Sequence, residues 1–140
     1  MTKVKFEKFT NATRKKIFEV ATNFKSFQIS LPQFFPSVRV ISVRPHATLV
    51  EEHLNLAGKQ LVVMAKHVIV EPVVHETFIV GGDAKGTHII EEYEQTSNGT
   101  RIVVTVDFKG SLRLTGIFGK GKFEEEFSKI MNELILVAEN

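Results

Sequence analysis

From Pro36 to Phe108 the chain repeats one arrangement, a short run of alternating or β-branched residues followed by a turn. The turns fall at Arg44-Pro45-His46, Gly58-Lys59, Glu71-Pro72, Gly81 to Gly86 and Asn98-Gly99, and each carries residues that reverse a chain at low steric cost. Connections this short have no room for the crossover that parallel strands require, so the six runs between them are expected as sequential antiparallel hairpins. Lys3 to Phe9 alternates in the same way, with Val4 and Phe6 on one side, and adds a seventh strand.

Helical spacing appears in two places. After Thr10 or Asn11, either of which offers an N-cap, Ile17, Val20, Ala21 and Phe24 form one stripe, and Phe27, Ile29 and Leu31 continue it until Pro32 and Pro36 close the region. The clearest helix is the last. Phe123, Phe127, Ile130, Met131, Leu134 and Ala138 recur at three- and four-residue spacings, opposite Glu124, Glu125, Lys129 and Glu133. A helix from Ile117 to Ala138 spans roughly 33 Å, enough to cross a sheet diagonally.

Length and composition decide what this pattern builds. At 140 residues, 43% of them hydrophobic, residues 1–140 are expected as one domain with a continuous core. Eighteen basic against sixteen acidic residues leave a net charge of +2, too weak a field to make nucleic acid the expected partner. The absence of cysteine excludes disulfides, thiolate metal sites and cysteine nucleophiles. No signal peptide is visible and no apolar run approaches the ~18 residues of a membrane span, so a cytoplasmic location is expected.

The order strand, two short helices, six strands, long helix resembles the START or SRPBCC superfamily, also called Bet v 1-like or helix-grip, over the whole chain. Ser30-Leu31-Pro32-Gln33-Phe34-Phe35-Pro36-Ser37-Val38 is the most family-like stretch, similar to the short second helix and the proline-led start of the second strand. The resemblance implies an α+β fold in which a seven-stranded curved antiparallel sheet grips the C-terminal helix around an apolar ligand cavity. Relatives include lipid-transfer domains, polyketide cyclases, coenzyme Q-binding proteins and plant hormone binders, so it selects no reaction.

The turns also set a register. A two-residue loop at Gly58-Lys59 pairs Leu54 with Val63, Glu52 with Ala65 and Val50 with His67. Carried across Glu71-Pro72, the same face pairs His67 with Glu76 and Ala65 with Phe78. The Gly82 to Lys85 turn then places Phe78 against Ile89 and Glu76 against Glu91. Asn98-Gly99 sets Tyr93 against Val104 and Glu91 against Val106, and the face closes on Ile102, Val104, Val106 and Phe108. A one-residue slip there selects Arg101, Val103, Thr105 and Asp107 instead, which supports the choice of inner face. Across Pro45-His46, Arg39 is expected opposite Glu52 on that face.

The inner face therefore carries a polar row, His67, Glu76 and Glu91, with Tyr93 one step away, in an otherwise apolar lining. Leu54, Val63, Phe78, Ile89, Val104 and Val106 from the sheet, with Phe127 and Met131 from the helix, are the expected apolar ligand contacts. The polar row is either an anchor or acid–base group for a ligand, or a hydrogen-bonded network at the wet end of the sheet. The first expectation is a binding or carrier protein for a hydrophobic small molecule such as a lipid, quinone, isoprenoid or polyketide-like compound. The alternatives are a cyclase or dehydratase with Glu76 or Glu91 as base, His67 as acid and Tyr93 polarising an oxygen, or a protein-interaction module.

Other motifs add no cofactor. Residues 116–122 read GIFGKGK and match a phosphate loop, yet Phe123 stands where Ser or Thr must hold magnesium and no βαβ unit surrounds it. The simpler role for Gly116, Gly119 and Gly121 is close approach of the helix start to the sheet. Histidines 46, 53, 67, 75 and 88 lack close ligand spacing, so no metal is expected. Arg14-Lys15-Lys16 reads as a solvated helix face, and Phe24, Phe27, Phe34 and Phe35 as core packing around the two short helices, with gating of a ligand as the alternative. On the outer sheet face Val62, Met64, Val68 and Val70, with Ile79 nearby, offer a strip for a possible homodimer.

Overall fold

Alternation does produce strands throughout the middle of the chain. The computed structural model describes residues 2–109 and 120–140; the side chains of Thr2, Lys120, Gly121 and Phe123 are not among what is described, and Gly116, Ile117 and Gly119 lie outside the described residues. The elements are β1 (Thr2–Thr10), α1 (Arg14–Thr22), a 3-10 turn (Phe24–Ser26) leading into α2 (Phe27–Ser30), β2 (Ser37–Arg44), β3 (Ala47–Leu56), β4 (Lys59–Val70), β5 (Val74–Gly82), β6 (His88–Thr96), β7 (Gly99–Phe108) and α3 (Lys120–Glu139). The seven strands form one curved antiparallel sheet in the order β1-β7-β6-β5-β4-β3-β2. Sequential hairpins make every step but one, and β1 closes the far side by pairing with β7, Val4 opposite Val106.

Register differs from the sequence reading at four connections: the position of the turn explains two, the length of a loop the third and a bulge the fourth. The β3–β4 turn is Ala57-Gly58, with φ of 49° and 77°, the double left-handed geometry of a two-residue hairpin turn. It pairs Leu54 with Leu61 and Glu52 with Val63. The β6–β7 turn is Ser97-Asn98, pairing Tyr93 with Ile102 and Glu91 with Val104. Both shifts are of two residues, so both preserve the inner face. Gly99 ends the second turn at φ 147°, and a Cβ there would lie 2.1 Å from the Thr10 carbonyl oxygen, which only glycine avoids.

The β4–β5 connection slips by one residue. Glu71, Pro72 and Val73 form a three-residue loop, so Val70 pairs with Val74, Ile69 with His75 and His67 with Thr77. This odd count turns β5 over. His75, Thr77 and Ile79 face inward, whereas Glu76 and Phe78 lie on the outer face. The expected pairings of Glu76 with His67 and Glu91 are therefore corrected, as is the outward placement of Ile79.

A bulge corrects a fourth pairing. Arg44 faces Ala47 and Ser42 faces Leu49, but between Ser42 and Val40 one extra residue shifts the register, so Arg39 opposes Glu51 and Val38 opposes Glu52. Arg39 thus makes its ion pair with Glu51 at 3.5 Å on the outside, and Glu52 turns inward without it.

The helices cover the inner face. Ile130, Met131, Leu134 and Ala138 of α3 are buried against the sheet, each large side chain contributing roughly 1.5–3 kcal/mol. Polar contacts hold both halves of the helix. The Glu126 carboxylate accepts from the Ala57 amide at 2.7 Å and from Lys129 at 2.8 Å, and Thr10 donates to Glu139 at 2.7 Å. In α1, Ile17, Phe18 and Ala21 point inward, with Phe18 edge-on to Tyr93 at 5.2 Å. The N-cap of α1 is Thr13, which accepts from the Lys16 amide, because the helix begins at Arg14 and Thr10 still belongs to β1. Ile29 is exposed rather than on the core stripe, since α2 ends after one turn. Among the described residues no helix is long and apolar enough to cross a membrane.

Candidate functional site

A cavity of about 100 Å³ lies between the inner sheet face and α3. Leu54, Val63 and Ile89 from the sheet and Phe127, Ile130 and Met131 from the helix line much of it, and Phe27 and Phe35 close one side. One wall is polar. Glu52 of β3, His67 of β4, His75 and Thr77 of β5, and Glu91 of β6 all border the cavity, and all are buried.

These side chains form a continuous chain of hydrogen bonds across four strands. His67 Nε2 lies 2.7 Å from Glu52 Oε2, His67 Nδ1 lies 2.8 Å from His75 Nε2, and His75 Nδ1 lies 3.1 Å from Glu91 Oε1. Tyr93 donates its hydroxyl proton to the same Glu91 oxygen at 2.6 Å. Thr77 Oγ1 sits beside the central link, 3.1 Å from His67 Nδ1 and 3.3 Å from His75 Nε2. Phe24 stacks on His67 with ring centroids 4.0 Å apart, sealing the relay from the 3-10 turn side.

The distances dictate a proton count. A carboxylate only accepts, so the ring nitrogen facing each glutamate donates. The two remaining nitrogens face each other at 2.8 Å, where two lone pairs repel and two N–H groups clash, so one proton is shared between the rings. Three links hold three protons. With both carboxylates ionised, one of the two imidazoles is thereby cationic.

The titration behaviour follows from the same contacts. Burial opposes charging His75, but the charge and hydrogen bond of Glu91, with the charge of Glu52 behind, outweigh it and raise the His75 pKa above its ordinary value. Burial likewise opposes ionising Glu91. The positive charge and hydrogen bond of His75, the Tyr93 hydroxyl and His67 overcome that cost and lower its pKa. Burial first, then the charge of Glu91 and the bond to it, push the Tyr93 hydroxyl well above its ordinary range, so it stays a donor.

Of the residues expected from sequence, His67, Glu91, Leu54, Val63, Ile89, Phe127 and Met131 border the cavity. Tyr93, Val104 and Val106 are buried on the inner face but behind the lining. Tyr93 acts on Glu91 rather than on the cavity. Glu76 and Phe78 are removed to the outer face by the turn of β5, where Glu76 bonds His88 at 2.8 Å and Phe78 stacks on the same ring. The sequence reading missed His75 and Thr77, and it used Glu52 only as a partner for Arg39. No local signal exposes them, because only the pairing of Val70 with Val74 puts Val73 in the loop. Among the described residues no group of three or more histidines and carboxylates is arranged around a common point for a metal ion.

No family model matches the sequence, and no curated protein does. Solved structures do match. A START superfamily protein from Mycobacterium smegmatis superposes with a TM-score of 0.84 at 15% identity, covering 99% of this chain and 98% of that one. The Zhui aromatase/cyclase from Streptomyces sp. R1128 gives 0.80 at 14% identity, covering 98% and 93%. A major latex-like protein from Panax ginseng gives 0.80 at 8% identity, covering 97% and 96%. A seven-stranded antiparallel sheet wrapped on a C-terminal helix and superposable on these structures over nearly their full length is the helix-grip fold of START/SRPBCC and Bet v 1-like proteins, and this chain has it.

Proposed function

We propose that the protein binds a compact hydrophobic molecule in the cavity between the sheet and α3. The observation that carries this reading is the lining itself: aliphatic and aromatic side chains on every side but one, and on that side a relay whose polar groups bond to one another. Those internal bonds offset part of the cost of burying polar groups beside hydrocarbon. At about 100 Å³ the space equals the share of roughly three waters. That suits a small ring or a branched chain, or one such portion of a larger quinone, isoprenoid or polyketide-like compound.

Native mass spectrometry of the purified protein, followed by organic extraction, tests this. A reproducible apolar adduct that disappears in Val63→Phe, which fills the cavity from β4, is the expected outcome. A chain that carries no adduct and gains no thermal stability from any small apolar compound sinks the reading.

The relay favours a second reading, acid–base catalysis of the cyclase or dehydratase type, since it can take up a proton at one end and release one at the other without separating charge. The aromatase/cyclase among the similar structures motivates the same class. Glu91 and Glu52 are then the groups that meet the substrate, and Tyr93 is a positioning residue. Exchange of the α-protons of cyclohexanone in D2O, followed by NMR, should accelerate with the native protein and slow with Glu91→Gln; no acceleration by the native protein rules this reading out. The homodimer reading rests on the exposure of Val62 and Val70 on the outer face, and sedimentation velocity at increasing concentration tests it.

A further inference from the structure

The charge of the relay restricts what the cavity accepts, and this inference rests on the binding reading above. One proton in each of three links leaves two carboxylates against one imidazolium, a net charge of −1. Tyr93 remains neutral as a donor. No lysine or arginine among the described residues borders the cavity to cancel that charge. The relay employs one oxygen of each glutamate, Glu52 Oε2 and Glu91 Oε1. What the two glutamates have left for a ligand is their second oxygens, and these only accept.

We propose that the cavity is selective for a compact hydrophobic amine, bound as its ammonium cation with the nitrogen donating to Glu52 or Glu91 and the hydrocarbon body against the apolar wall. An ammonium group carries donors alone, which matches two carboxylates that only accept, and it brings the positive charge the relay lacks. Charge-assisted bonds of this kind are about twice as strong as neutral ones. The surrounding hydrocarbon lowers the local dielectric and amplifies both attraction and repulsion. A neutral alcohol makes one donor bond but leaves the charge uncancelled. A carboxylate or phosphate head meets like charge at close range, so anionic lipids are excluded by the same argument.

Four probes that share a ring separate these terms: toluene, benzyl alcohol, benzylamine and benzoate, titrated calorimetrically into the full chain at neutral pH, where an alkylamine is protonated. Benzylamine should bind at least about tenfold more tightly than benzyl alcohol or toluene, and benzoate most weakly. Equal binding of toluene or the alcohol overturns the charge selection while leaving the hydrophobic cavity standing. Tightest binding by benzoate overturns it as well. If none of the four binds, the binding reading fails and this inference fails with it. Glu52→Gln keeps the shape of the wall and removes one negative charge, and it should cut the ratio of amine to alcohol affinity about tenfold; an unchanged ratio counts against the proposal. Should that variant fail to fold, the native series still decides.

Discussion

Strands β5 and β6 carry two cross-strand histidine–glutamate pairs on opposite faces. His75 and Glu91 meet at 3.1 Å on the inner face, with side chains 4% and 7% exposed; His88 and Glu76 meet at 2.8 Å on the outer face, both 33% exposed. The outer pair is the shorter. Distance nevertheless says little about the importance of either, because water competes for the outer pair and screens it, whereas the inner pair has only its protein partners. Each inner group is also held from behind, Glu91 by Tyr93 and His75 by His67. The outer pair has a different support, the Phe78 ring stacked on His88 with Lys66 above it at 5.7 Å. Burial makes the inner pair part of a collective and leaves the outer one as a local contact.

The comparison breaks if deleting a member of either pair costs the same. Glu91→Ala should lose about 3–5 kcal/mol in urea unfolding, since it leaves an imidazolium buried without its counter-charge and frees the Tyr93 hydroxyl. This is the largest single effect expected at the site.

Stability against pH sharpens the same contrast. The raised pKa of His75 means its contribution is complete below its ordinary value of 6.5 and is lost as pH rises through the folded value. The lowered pKa of Glu91 means its contribution is complete above its ordinary 4.5 and is lost as pH falls through the folded value. The pair therefore stabilises most between pH 4.5 and 6.5. Urea midpoints measured from pH 3 to 9 should peak in that window, and in Glu91→Gln the peak should flatten. A peak that survives Glu91→Gln assigns the pH dependence to other groups.

Tyr93→Phe comes next. It removes one hydrogen bond to a buried carboxylate while retaining the ring against Phe18, and should cost roughly 1.5–3 kcal/mol. The smallest effect belongs to the outer face, where Glu76→Ala should change stability by about 0.2–1 kcal/mol, less at high salt. A loss there as large as that from Glu91→Ala would mean the outer Glu76–His88–Phe78 cluster is as cooperative as the relay.

The two faces of β5 also show where reading a sequence stops. Residues 74–82 are VHETFIVGG, and both alternations are chemically acceptable: one presents Glu76 and Phe78, the other His75, Thr77 and Ile79. Nothing local chooses between them. On β7 the choice is plain, because Ile102, Val104, Val106 and Phe108 are all apolar and their neighbours include Arg101 and Asp107.

The sequence by itself determined the elements, their antiparallel order, the helix that closes the sheet and the inner face of every strand whose two alternations differ in polarity. It also named His67 and Glu91, because both sit on strands read in the correct phase. Only the tertiary structure decided that Glu71-Pro72-Val73 is a three-residue loop, that a bulge between Val40 and Ser42 separates Arg39 from Glu52, and hence that His75, Thr77 and Glu52 complete the relay. The physical reason is the period of two along a strand. Errors of two residues in a turn leave every side chain on its face, as at the β3–β4 and β6–β7 hairpins, whereas an error of one exchanges the buried chemistry of a whole strand for its solvent side.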